Sequence, residues 1–85
     1  MRYDLEFTSS ALREFRALDS QIQARVLRKI IGLQSNPFPS GNKKLQGMPG
    51  HHRIRVGDYR IVYRVNGDRL VIVIVRVGHR REIYR

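Results

Sequence analysis

The chain has 85 residues, with 17 Lys and Arg against 7 Asp and Glu, a formal charge of +10, and neither Cys nor Trp. That length makes one small domain burying roughly 60% of its unfolded surface. The missing cysteine excludes disulfides, thiolate zinc sites and a cysteine nucleophile. The longest apolar run, residues 70–75, has six members, far below the ~20 of a membrane helix. The opening MRYDLEF has no charged stretch leading into an apolar one, so no signal peptide is expected. The expectation is a cytoplasmic protein with no membrane contact.

The opening segment alternates. Tyr3, Leu5 and Phe7 fall on one side and Arg2, Asp4 and Glu6 on the other, which predicts a half-buried strand. Thr8, Ser9 and Ser10 offer capping hydroxyls before Ala11, Leu12, Phe15 and Leu18, which recur at helical spacing. Asp19 and Ser20 interrupt the run, and Ser20 with Gln23 fits a capping box. Ile22, Val26, Ile30 and Leu33 then form a second helical stripe, widened by Leu27 and Ile31. Two helices meeting at a tight corner make an αα-hairpin. Gly32 and the run from Asn36 to Asn42, with its two prolines, end the second helix. Residues 43–50 read as loop, with Leu45 and Met48 as anchors onto the core.

Beyond residue 50 the period becomes two, and strands are expected at about 51–56, 59–65 and 69–77. Gly57-Asp58 and Asn66-Gly67 suit two-residue hairpin turns, whose residues take positive φ. The last strand is apolar on both faces and so belongs in the sheet interior. The expected fold is therefore α+β: a single domain, residues 1–85, ordered strand–helix–helix–strand–strand–strand. Its sheet is four-stranded and antiparallel-rich, with the αα-hairpin packed on one face.

The charge is unevenly placed. Residues 1–42 carry six cations and four anions, whereas residues 43–85 carry eleven and three, and fourteen of the seventeen cations are Arg. Arginine makes planar, bidentate contacts to phosphate, so the C-terminal half points to a polyanion or an acidic partner. A two-residue turn at Gly57-Asp58 sets Arg55 opposite Arg60, with Ile54 facing Ile61 and Arg53 facing Val62. Alternation then gathers His51, Arg53, Arg55, Arg60 and Arg64 on one face, leaving the other for the helices. Like charges directly opposite one another destabilise a sheet; an anionic ligand explains why such a pair is tolerated. In the ordinary alternative these arginines form a solvated face with stems lying over the sheet. The terminal Gly78-His79-Arg80-Arg81 returns toward the same turn, and a bend at Gly78 would bring in Arg80 and Tyr84.

Little other chemistry is legible. The seven acids contain no convincing general acid–base pair. His51 and His52 are neighbours that point apart along a strand, which disfavours a shared metal. There is no phosphate-cradling glycine loop and no serine elbow. No metal or cofactor is expected.

The run KKLQGMPGHHRIRVGDYRIVYRV, followed by VIVIVRVGHRREIY, resembles the RelE toxins of bacterial and archaeal toxin–antitoxin pairs, within the wider RelE/ParE superfamily. The likeness spans nearly the whole chain. It implies a cytoplasmic toxin that enters the ribosomal A site and cuts mRNA by attack of a ribose 2′-OH, without metal. It also implies an acidic RelB-like antitoxin as partner, with operator DNA engaged only through the toxin–antitoxin complex. By position, Arg60, Arg80 and Tyr84 match the family's catalytic set. Arg53 and Arg55 stand where the best-known member has lysines. Arginine stays protonated and moves protons poorly, so these two, with Arg64 and Arg81, are expected to supply electrostatics and to grip mRNA or rRNA. His51 is a candidate proton carrier on the same face. The second reading within this superfamily is a ParE-like, non-catalytic inhibitor of DNA gyrase.

Overall fold

A computed structural model describes residues 2–83. The elements run β1 (Asp4–Phe7), α1 (Ser9–Arg16), α2 (Ser20–Ser35), β2 (Lys43–Lys44), β3 (His51–Val56), β4 (Tyr59–Asn66), β5 (Val71–His79) and α3 (Arg80–Ile83). The strands form one five-stranded sheet in the order β1-β5-β4-β3-β2. β1 lies parallel to β5, and the other pairs are antiparallel.

The expected α+β class and αα-hairpin are present, but the sheet has five strands rather than four. The extra one is β2. Lys43 and Lys44, read from sequence as loop, pair with Arg53 and His52. Met48, expected as a core anchor, is instead 41% exposed. The last strand starts at Val71 because residues 67–70 form a longer turn than Asn66-Gly67 alone would make. Asn66 Oδ1 accepts the Arg69 amide at 3.0 Å, and Leu70 takes the left-handed conformation at φ 54°. At the other hairpin the two-residue turn is as expected, but only Gly57 is left-handed, at φ 60°. That is the type II′ arrangement, which takes glycine first.

Local chemistry accounts for the helix ends. Thr8 caps α1, its hydroxyl accepting the Ala11 amide at 3.1 Å. The capping box expected for α2 does not form, because Ser20 is already helical and Asp19 is the cap. Gln23 turns back to α1 and donates to the Phe15 carbonyl at 3.1 Å, clasping the helical corner. α2 runs through Gly32 to Ser35, since burial of Val26, Ile30 and Leu33 outweighs the ~1 kcal/mol cost of one helical glycine.

One face of the sheet carries the core. Ile54, Ile61, Tyr63, Ile72, Ile74 and Val77 close over Ala11, Val26, Ile30 and Leu33 from the helices. Tyr3, Leu5 and Phe7 pack against this cluster, as the alternation in the opening segment requires. No helix among the described residues is long and apolar enough to cross a membrane.

Candidate active site

The face opposite the helices carries the arginines. The register is the one Gly57-Asp58 dictates: Arg55 opposite Arg60, Ile54 opposite Ile61, Arg53 opposite Val62 and His51 opposite Arg64. Directly opposed residues share a face, so Lys43, opposite Arg53, joins the arginine side. Gly78 stands opposite Arg60 on the β5 side and adds no side chain there.

Arg60 is the centre of this arrangement. It is only 6% exposed, unusual for an arginine. Its Nη1 donates to the carbonyls of Gly57 at 3.3 Å and Tyr59 at 3.2 Å, which fixes the guanidinium beside the hairpin turn. Burial, then the charges of Arg55, Arg53 and Arg80, lower its pKa, while Asp58 acts in the opposite sense. A guanidinium begins so far above neutrality that it stays protonated. The shift therefore reflects the burial of Arg60 first and the three neighbouring cations second.

A cleft of about 740 Å³ opens beside them, lined by Lys29, Lys43, Arg53, Arg55 and Arg60 against one carboxylate, Asp58. Arg80 is delivered differently from the expected bend at Gly78. β5 stays extended through His79, and the chain turns only there, into α3. The Arg80 amide donates to the Asp58 carbonyl at 2.9 Å, tying α3 to the β3–β4 turn.

The other candidates are not gathered here. Arg64 and His51 form a pair four residues along the strand from Arg60 and Arg55, about 13 Å at 3.3 Å per residue. Arg64 is exposed. His51 lines a different cleft. Arg81 is exposed on α3, its amide donating to His79 Nδ1 at 3.2 Å. Tyr84 lies outside the described residues. Among those residues no three His, Asp or Glu side chains gather as a metal site would require. Sequence reasoning missed Lys29 and Lys43. Lys43 needs β2 to be recognised, and two lysines carry no periodicity; Lys29 is an ordinary solvent-side helix residue until α2 is packed.

What this site offers chemically is concentrated, partly desolvated positive charge with planar donors, suited to a phosphate that gains charge during reaction.

Comparison with known proteins finds this chain similar to type II toxin–antitoxin toxins. The family described as "ParE toxin of type II toxin-antitoxin system, parDE" matches residues 5–84. The mRNA interferase toxin RelE of Escherichia coli is 34% identical, over 99% of this chain and 92% of that protein. Toxin RelG of Mycobacterium tuberculosis is 35% identical over 100% and 99% respectively. Among solved structures, the toxin–antitoxin complex RelBE2 of M. tuberculosis contains a chain with TM-score 0.83 and 31% identity, covering 93% of this chain and 99% of that one.

Proposed function

The chain belongs to the RelE/ParE family of type II toxin–antitoxin toxins, and on that footing we propose that it is an endoribonuclease that cuts mRNA on the ribosome. Its place of action is then the cytoplasm, and its partners are the ribosome, mRNA and an acidic RelB-like antitoxin. The carrying observation is the buried Arg60 pressed by Arg55, Arg53 and Arg80.

In the proposed reaction the ribose 2′-oxygen attacks the adjacent phosphorus and the bond to the 5′-oxygen breaks. The products are a 2′,3′-cyclic phosphate and a 5′-hydroxyl. The 2′-OH loses a proton and the 5′-oxygen gains one. Between them the phosphorane oxygens carry extra negative charge, and stabilising it is the largest contribution a site can make. Arg60 is held in place for that task before substrate arrives, in partly desolvated surroundings that strengthen its pull. Arg80 approaches from α3, while Arg53, Arg55 and Lys43 hold the flanking backbone. Proton transfer needs a different type of group. Tyr84 takes that role by its match to the family's C-terminal tyrosine.

A ParE-like gyrase inhibitor is the second reading, favoured by the description of the matching family. It gives no reason for a buried arginine among cations, whereas phosphoryl transfer does. The experiment adds the purified chain to mRNA-programmed ribosomes, maps cuts by primer extension, and runs gyrase supercoiling beside it. Arg60→Ala and Arg80→Ala each lower the cleavage rate by on the order of 10²–10³, the loss of one transition-state donor. Inhibited supercoiling with intact mRNA overturns the nuclease reading.

A further inference from the structure

The arginine cleft has a neighbour across the sheet edge. A second cleft, of about 790 Å³, is lined by Phe38, Lys44, Leu45, Met48, His51 and His52, and no carboxylate lines it. Phe38 is 50% exposed and Met48 41%. Side chains of these types are ordinarily inside.

The exposure of Phe38 is built rather than incidental. Its amide donates to Asn36 Oδ1 at 3.2 Å. The preceding Pro37 carbonyl accepts the hydroxyl of buried Tyr63 at 2.7 Å. Further along the loop, Asn42 donates to the Pro39 carbonyl at 2.8 Å and meets His52 Nδ1 through its Oδ1 at 3.2 Å. The His52 ring braces Phe38 edge-on at 5.0 Å and stacks on Tyr63 at 5.7 Å. The loop is thus pinned to the core while half of the aromatic surface at its tip faces solvent. At the opposite rim His51 Nδ1 lies 3.1 Å from the Pro49 carbonyl. A carbonyl only accepts, so Nδ1 holds the hydrogen and Nε2 is left as an acceptor in the neutral ring.

The two clefts are joined by β2. Lys43 pairs with Arg53 and Lys44 with His52, so alternation puts one lysine on each side of the sheet. Lys43 lines the arginine cleft and Lys44 the aromatic one. β2 is the sheet edge and only two residues long, so a linear ligand can pass round it. Charge alone would suit an acidic peptide as well. A flat ring held rigid in a cleft that Lys44 and His51 also line suits a nucleobase, which needs a stacking surface and polar partners for its edge.

We propose that the second cleft is a subsite for one unpaired nucleotide of RNA, its base stacked on Phe38 and its edge toward His51 and Lys44, while the arginine cleft holds neighbouring phosphates of the same strand. The inference rests on the reading that this chain acts on RNA, and it adds a specificity element to that reading.

The test measures fluorescence anisotropy of a fluorescein-labelled, mixed-sequence single-stranded RNA octamer with the full chain, at low and at moderate salt. Phe38→Leu keeps the bulk and removes the aromatic face, and it raises Kd about ten-fold. The factor is the same at both salt concentrations, because stacking releases no counterions. Phe38→Tyr binds as the parent does. Lys44→Gln weakens binding and flattens the salt dependence. An unchanged Kd for Phe38→Leu, or a loss that Phe38→Tyr shares, hands the cleft to a protein partner and overturns the proposal. The two readings fail separately. If the parent chain leaves ribosomal mRNA intact while Phe38→Leu still costs ten-fold in binding, the nuclease reading falls and the nucleotide subsite stands.

Discussion

The arginine pair across β3 and β4 should make the domain less stable than it need be, and Arg55→Gln measures by how much. Arg55 lies directly opposite Arg60 and is the charge that most lowers the Arg60 pKa after burial itself. Like charges at opposed strand positions cost about 0.2–1 kcal/mol. Arg55 is exposed, so water screens part of this, and about 0.5 kcal/mol is the proper expectation. Domains of this size shift by about 4–8 °C per kcal/mol. Arg55→Gln, which keeps length and polarity, should therefore raise Tm by about 2–4 °C at low salt. At 1 M salt, where the Debye length is about 3 Å, the gain should vanish. In the cleavage assay the same variant loses about ten-fold, since a charged hydrogen bond to phosphate is worth about 1.5–3 kcal/mol before its partial replacement by the amide. Thermal denaturation at two salt concentrations decides the matter. A lower Tm at low salt, or a gain that survives 1 M salt, refutes the claim that this pair is a cost carried for an anionic ligand.

Two further outcomes follow from contacts outside that pair. Glu14→Ala removes both the Arg76 contact at 2.9 Å and the acceptor for the Val77 amide at 2.9 Å. It should cost about 2 kcal/mol and lower Tm by about 10 °C, with Glu14→Gln recovering more than half because it keeps an acceptor for the amide. For pH, burial first, then Lys44 and His51, hold His52 below the ordinary 6.5. The unfolded chain therefore binds the proton before the folded one does. The stability in question is complete above about 6.5 and is lost as pH falls from there toward the folded value. Urea titrations between pH 7.5 and 5 should show that slope, and His52→Gln should flatten it; an equal slope in both proteins would contradict the linkage.

How much of this was legible in the sequence differs from element to element, for physical reasons. Local rules were sufficient where a short segment determines its own shape. Thr8 caps because its hydroxyl reaches an orphan amide. Gly57-Asp58 sets a register because a two-residue turn permits one pairing, and that alone placed Arg55 against Arg60. The rest depended on the assembled fold. Two consecutive lysines have no period, and β2 exists only because β3 offers an edge to pair with. Asn66-Gly67 resembles a tight turn, yet Asn66 prefers to accept the Arg69 amide and widens it. Met48 looks like an anchor by type alone, and only packing reveals that it faces a cleft. Within the candidate site, the face of each arginine was readable. The separation of His51 and Arg64 from the others was readable too, because it follows from counting residues along the same strands.

The decisive unreadable feature is one residue in β5. Tyr63 pairs with Ile74 but Val62 pairs with Arg76, so Val75 has no partner and forms a bulge. Alternation without the bulge would put Arg76 and Gly78 on the helix side with Ile74, and Val77 and His79 among the arginines. With it, Val77 enters the core and Gly78 comes to stand opposite Arg60. The bulge falls where β1 has ended, after Ile74, so β5 has lost its neighbour along that edge. α1 takes over the vacated bonds: Thr8 donates to the Val75 carbonyl at 3.1 Å, and Glu14 accepts from Val77 and holds Arg76. An apolar run from 70 to 75 conceals all of this, because valine and isoleucine suit either face. Thr8 and the Glu14 carboxylate thus hold the bulged segment that brings Gly78 opposite the buried arginine. Stability and site geometry are for that reason coupled through Glu14, although its side chain belongs to the helix side and not to the cleft.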